Sequence, residues 1–200
     1  MHALTGIKKF MLLEQGDFLE EFFNSAESII DKQKGLVSHN KIYSCIDEAI
    51  RNSSAKCLPQ KVLANVHFDF IKIHDKNTDN IRLWLLFCFW FKQDGPISYI
   101  FNSQAMEKLR GISNFIFRLK KGQIILDKIW EEDRNRKVKK GRGVIMSRAI
   151  AFRNGLKAFL NNCLNYIFTN LDVIWMEYMH KIEESVTVFE IASGSLKMVE

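Results

Sequence analysis

Only two of the 200 residues are proline, and the four cysteines stand far apart at positions 45, 57, 88 and 163 with no Cys-x-x-Cys pair. That scatter argues against a disulfide framework and for reduced, buried thiols in an intracellular protein. Long apolar runs are also missing. The longest, Leu83 to Phe91, falls far short of the ~20 residues a spanning helix requires, so a soluble protein is expected. Lys8 and Lys9 interrupt the start, which excludes a signal peptide there.

The usual signatures of catalysis are absent too. "KGRGVIMS" has neither the spacing nor the Gly-Lys-Ser/Thr ending of a phosphate loop. His2, His39, His67, His74 and His180 form no zinc-binding spacing, and no Gly-x-Ser-x-Gly elbow occurs. Each Cys and His therefore reads as a packing residue. The carboxylates of Glu131 to Asp133 read as solvated surface at a helix end. No enzyme, cofactor or metal is expected.

What is present is an apolar, mildly basic chain. Hydrophobic residues make up 47% and charged residues 26%, enough to bury a core, and the formal charge of +6 favours acidic partners. Helical spacing dominates. Leu4, Ile7, Met11 and Leu12 predict a short helix ending near Gly16; Asp17 can cap a second carrying Phe18, Phe22 and Ile29. Ser38 precedes a third, with Ile42, Cys45, Ile46, Ala49 and Ile50. Pro59 suits the first turn of a short helix reaching about Val66. "HFDFIKI" and "WLLFCFWFK" then read as one β-hairpin, which must lie on helices because a lone hairpin is marginal in water.

Asn102 or Ser103 caps a long helix through Met106, Leu109, Ile112, Ile116, Leu119, Leu126 and Trp130. A second long helix places Phe152, Leu156, Phe159, Leu160, Cys163, Ile167, Leu171 and Ile174 on one face. Between them, "RNRKVKKGRG" (Arg134 to Gly143) is basic and lacks interleaved aromatics, so nucleic-acid binding is not expected. It reads as a solvated loop over about 133–143, or as an electrostatic contact to an acidic protein. The fold class is mainly α, a helical bundle with one small antiparallel β-hairpin.

Three separated stretches, in order, carry a resemblance. "LLEQGDFLEEF" resembles a helix junction of the gamma-tubulin complex components. "WLLFCFWFKQDGPISYIFNSQAMEKLRGISNFIFRLKK" is similar to the strand, turn and helix of the same family. Phe159, Asn162, Leu164, Tyr166 and Trp175 follow its last motif. "DGPI", Asp94 to Ile97, points to the branch of component 3.

The resemblance covers roughly residues 2 to 190 and implies a partial C-terminal helical domain over 1–200, with the N-terminal half absent. It further implies γ-tubulin and other complex components as partners, a non-catalytic scaffold for microtubule nucleation, and a place at the centrosome or spindle pole. Gln15, Gly16, Asp17, Phe18, Asp94, Gly95, Pro96, Asn162, Tyr166 and Trp175 are then framework, Gly95 and Pro96 closing the strand and feeding the chain into the helix.

Arg118, Lys120, Lys121, Arg134, Arg136, Lys137, Lys139 and Lys140 are the candidate γ-tubulin contacts, because charge there has no expected core role. Leu85 and Trp90 depart from the branch, which tends to have Asp at both places, and "IASGSLKMVE" replaces the family's closing helix. A shortened, non-assembling isoform, another helical interaction module and a basic nucleic-acid binder remain the alternatives.

Overall fold

Phenylalanine spaced at three and four on helices, and at two on strands, sets the architecture. The computed structural model describes residues 2–32, 38–70, 84–92, 97–137 and 144–185. Helix α1 (His2–Gly6) runs into a π-helical turn, Ile7–Met11; α2 (Gly16–Lys32) and α3 (His39–Asn52) follow. A 3-10 turn (Ser54–Cys57) and α4 (Gln60–Leu63) lead to strand β1 (Val66–Phe70). Strand β2 (Phe87–Phe91), the short α5 (Ile97–Ile100) and two long helices, α6 (Ser103–Lys137) and α7 (Val144–Glu184), complete the chain.

The strands pair antiparallel, with Val66 opposite Phe91, Phe68 opposite Phe89 and Phe70 opposite Phe87. Phe87, Phe89 and Phe91 are buried on the side that meets the helices. Phe87 lies 5.1 Å from Phe22 of α2 and 4.8 Å from Phe117 of α6, ring centre to ring centre. Phe22 also meets Phe89 at 5.1 Å, and Phe23 meets Phe117 at 4.9 Å. These separations suit edge-to-face and offset aromatic packing.

The expected mainly α fold with a small antiparallel strand pair is what the chain adopts. Its boundaries differ in four places. The first helix stops at Met11, because the backbone turns at Leu13, whose φ of 57° is rare for a side-chain-bearing residue. Trp84–Leu86 form a helical turn, so β2 starts only at Phe87. Pro59 is the N-cap of α4, and Val66 already belongs to β1. Finally, α6 continues to Lys137 through the first part of the expected basic loop. Ile71 and Ile73, expected in the first strand, lie outside the described residues.

The cap of α6 follows the sequence: Asn102 Oδ1 accepts a hydrogen bond from the Ala105 N–H at 2.9 Å. The apolar face expected for α7 is not the one the core buries. Phe152, Leu156, Phe159 and Ile174 are exposed and Leu160, Cys163, Ile167 and Leu171 half-buried, whereas Leu164, Trp175 and Tyr178, outside the expected face, are buried. On α6, Trp130 is exposed as well. The two helices run antiparallel, as the pairs Gln123–Asn161, Asp127–Lys157 and Asp133–Arg153 show.

Candidate functional site

The "QGD" junction is built from hydrogen bonds. The buried Gln15 amide donates to Asp17 Oδ1 at 2.9 Å and to Ser54 Oγ. Asp17 Oδ1 also accepts the Phe18 N–H at 3.0 Å, and its Oδ2 accepts the Ser54 N–H at 2.7 Å. Instead of only capping its own helix, Asp17 reaches the 3-10 turn after α3. Partial burial opposes its charge, but the hydrogen bonds from Ser54, Gln15 and Phe18 outweigh that and hold its pKa down to about 2. Gly16 has open space where a Cβ would stand, and Phe18 is fully buried.

Helix α6 closes the free edge of β2. Asn114 Nδ2 donates to the carbonyls of Phe87 (2.7 Å) and Leu85 (2.9 Å), and Ser113 Oγ reaches that of Phe89 at 3.4 Å. Arg118 Nε donates to Leu85 O at 2.9 Å. An unpaired strand edge would invite another strand; here buried side chains occupy it. Ser113 and Asn114 carried no signal in the sequence beyond being polar residues inside an apolar helical period.

The candidate contact residues of the "FRLKK" stretch therefore divide. Arg118 is exposed but tied to the turn that leads into β2. Lys121, expected on the surface, is only 7% exposed. Its ammonium lies 3.2 Å from Glu27 Oε1 and 4.1 Å from the centre of the Trp84 ring. That is a correction: the apolar surroundings accept a lysine because a carboxylate and an aromatic face pair with it. Lys128 holds the other oxygen of Glu27. Burial opposes the charge of Glu27, but these two lysines outweigh it and keep the carboxyl below its ordinary value. Lys120 is half-buried above the Phe168 ring at 5.3 Å, and burial pushes its pKa down.

Farther out, Arg134 is exposed and lies 5.5 Å from the centre of the Trp130 ring. Arg136 and Lys137 end α6. Lys139, Lys140, Asp94, Gly95 and Pro96 lie outside the described residues. Asp133, expected to be solvated, accepts a hydrogen bond from the buried Arg153 at 2.8 Å. With Lys157 to Asp127 and Gln123 to Asn161 (2.7 Å), this pair stitches α6 to α7.

The last motif splits in the same way. Trp175 is buried, its ring 6.3 Å from that of Tyr178. Asn162 is exposed, and Tyr166 is 73% exposed, so neither is clamped between helices as a framework role required. The resemblance placed Tyr166 in the family's last motif; among the described residues no third helix lies over it.

Among the described residues no group of three or more His, Cys, Asp or Glu is placed to hold a metal, and no helix is long and apolar enough to cross a membrane. Burial pushes the Cys45 and Cys88 thiols up, which keeps them protonated. What the exposed part of the molecule offers is a surface: two long helices bearing apolar and basic side chains.

A family model described as gamma tubulin complex component C-terminal matches residues 1–196. Spindle pole body component alp6 of Schizosaccharomyces pombe is 28% identical over 127 residues, covering 64% of this chain and 15% of that protein. Gamma-tubulin complex component 2 of Arabidopsis thaliana is 23% identical over 202 residues, covering 94% and 30%. The Xenopus laevis gamma-tubulin complex component 3 homolog is 21% identical over 187 residues, covering 91% and 20%. The chain thus spans between 15 and 30% of the length of these relatives.

Proposed function

Since the chain belongs to the gamma-tubulin complex component family, we propose that it binds γ-tubulin within a microtubule-nucleating complex. It does so as a non-catalytic scaffold alongside other components of that complex. The observation that carries the reading is the family match from residue 1 to residue 196, with the three motifs in family order. We place it at the cytoskeleton, at spindle poles or other microtubule-organising centres, as the name of the fission-yeast relative suggests. Residues 1–200 act as one helical domain from the family's C-terminal region.

Mechanistically, such a protein makes no bonds. It holds a tubulin subunit by many weak side-chain contacts, with complementary charge guiding the approach. The chain's excess of six positive charges suits an acidic surface. Of the candidate contacts, Arg134, Arg136, Lys137, Lys139 and Lys140 are the ones proposed to reach γ-tubulin. Lys121, Lys120 and Arg118 are assigned to holding α6 in place, on the contacts given above.

The test is a pulldown of purified γ-tubulin with the 200-residue chain over a salt series. Binding at a defined stoichiometry that weakens as salt rises, and that falls when Arg134, Arg136 and Lys137 are changed to Glu, is expected. No binding by a chain that circular dichroism shows to be helical would overturn the proposal.

A further inference from the structure

Two stripes of exposed and half-buried residues run side by side on α6 and α7. On α6, Phe115, Arg118, Gly122, Ile125 and Ile129 recur at spacings of three and four. On α7, Phe152, Leu156, Phe159, Cys163 and Tyr166 do the same. At 100° per residue each set occupies one side of its helix. The two sides coincide: a Cβ at Gly122 would lie 3.4 Å from Leu160 Cδ1, which places that edge of α6 against the same edge of α7. Gln123–Asn161 and Asp127–Lys157 face each other across the interior of the pair. Phe152 is 75% exposed, Phe159 61%, and Ile125 and Ile129 43% each.

We propose that this face seats an acidic amphipathic helix supplied by another polypeptide. Two parallel apolar ridges with a glycine in the valley between them form a groove that a third helix fills by laying its own apolar stripe along it. The size fits one helix. Phenylalanine presents roughly 150–250 Å², so the exposed fractions of Phe152 and Phe159 alone expose on the order of 250 Å². With the isoleucines and Leu156 the patch reaches about 400–500 Å². That supplies the apolar centre of a contact of about 800 Å² per partner, and falls short of an obligate dimer face.

Charge selects the partner. Residues 118–157 contain thirteen Lys and Arg against four Asp and Glu, an excess of nine, whereas the whole chain's excess is six. The rest of the molecule is therefore net negative. Two copies meeting through this hairpin would bring both positive excesses together, while an acidic helix neutralises one. Exposed Arg148 lies one turn before Phe152 on α7, within reach of acidic residues on such a helix, while Arg118 at the inner end keeps its hydrogen bond to the Leu85 carbonyl.

The experiment uses two synthetic helical peptides of about 18 residues, roughly 27 Å long, with the same leucine stripe, one flanked by Glu and the other by Lys. Fluorescence anisotropy with the full chain should show the Glu peptide binding at least tenfold more tightly. Phe152→Ser with Phe159→Ser should weaken that binding at least tenfold and leave the thermal midpoint unchanged, since both side chains are exposed. Equal binding of the two peptides, no binding of either, or binding indifferent to the double variant would each overturn the proposal. So would a dimer in sedimentation equilibrium that the double variant disperses, because the face would then belong to a second copy. A failed γ-tubulin pulldown with a positive peptide titration would sink the functional reading and leave this one standing.

Discussion

At the scale of single residues, two positions carry more than their size suggests. Gly6 ends α1 at the point where Phe91 of β2 comes closest to it. A Cβ there would stand 2.1 Å from the Phe91 ring, and that ring is 1% exposed and hemmed in by the core. Gly6→Ala is expected to cost about 2–3 kcal/mol, the upper range of overpacking, despite alanine's better helix propensity. Chemical denaturation checks it: a variant as stable as the parent would mean that Phe91 has room to move. Asp17 acts through charge. Its folded-state pKa of about 2 lies below the ordinary 3.8. The stability it contributes is present above pH 3.8 and is lost as the pH falls from there toward 2. Asp17→Asn should remove about 1 kcal/mol at pH 7, below the ~1.5–3 of a hydrogen bond to a charged group because this side chain is exposed and screened by solvent. The parent and variant should converge in thermal midpoint near pH 2. A difference that stays constant across this range would show that the carboxylate's charge is not what Ser54 reads.

At the scale of elements, α6 works as the brace of β2, and Asn114 is its central fastener. Replacing it by Ala leaves the Phe87 carbonyl without its side-chain donor in a buried site, while Arg118 still reaches the Leu85 carbonyl. The expected loss is about 1–3 kcal/mol, the cost of one orphaned buried group. Asn114→Asp should be worse at neutral pH, since a carboxylate would face carbonyl oxygens; an Asp variant more stable than the Ala variant at pH 7 would refute the brace. These elements also show what was legible in the chain. The starts of α3 and α6 were readable because Ser38 and Asn102 precede clean spacings of three and four, although only Asn102 makes the capping hydrogen bond. The strand pair was readable because Phe68 and Phe70, then Phe87, Phe89 and Phe91, alternate. The fate of Lys121 and Tyr166 was not. A lysine at the core side of a helix and a tyrosine on an apolar stripe are decided by neighbours distant in sequence: Glu27 and Trp84 enclose the first, while nothing described covers the second. Period reports which residues share a face, and only tertiary structure reports what lies against it.

At the scale of the whole molecule, stability is unevenly distributed. The aromatic core joins α2, the strand pair and the inner part of α6 through Phe18, Phe22, Phe87, Phe89 and Phe117, all fully buried. Lys8 adds a bridge from the first turns to α7, lying 3.0 Å from both Glu14 and Asp172. Beyond Lys128, which still reaches Glu27, α6 and α7 are joined chiefly by polar pairs such as Asp133–Arg153, while Ile129, Trp130, Phe152 and Phe159 stay exposed. A helix pair with few buried apolar contacts opens at low cost. Amide hydrogen exchange should therefore show a gradient along the two long helices. Residues 109–121 should be protected close to the global unfolding limit, and residues 129–137 and 147–156 should exchange at least a hundredfold faster. Adding the acidic amphipathic peptide should slow exchange in the outer segments, which carry Ile129 and Phe152, while residues 109–121, already near the global limit, change little. Uniform protection along α6 and α7 in the free chain would mean that the outer hairpin is stable without a third helix, and the physical need for a partner on that face would disappear.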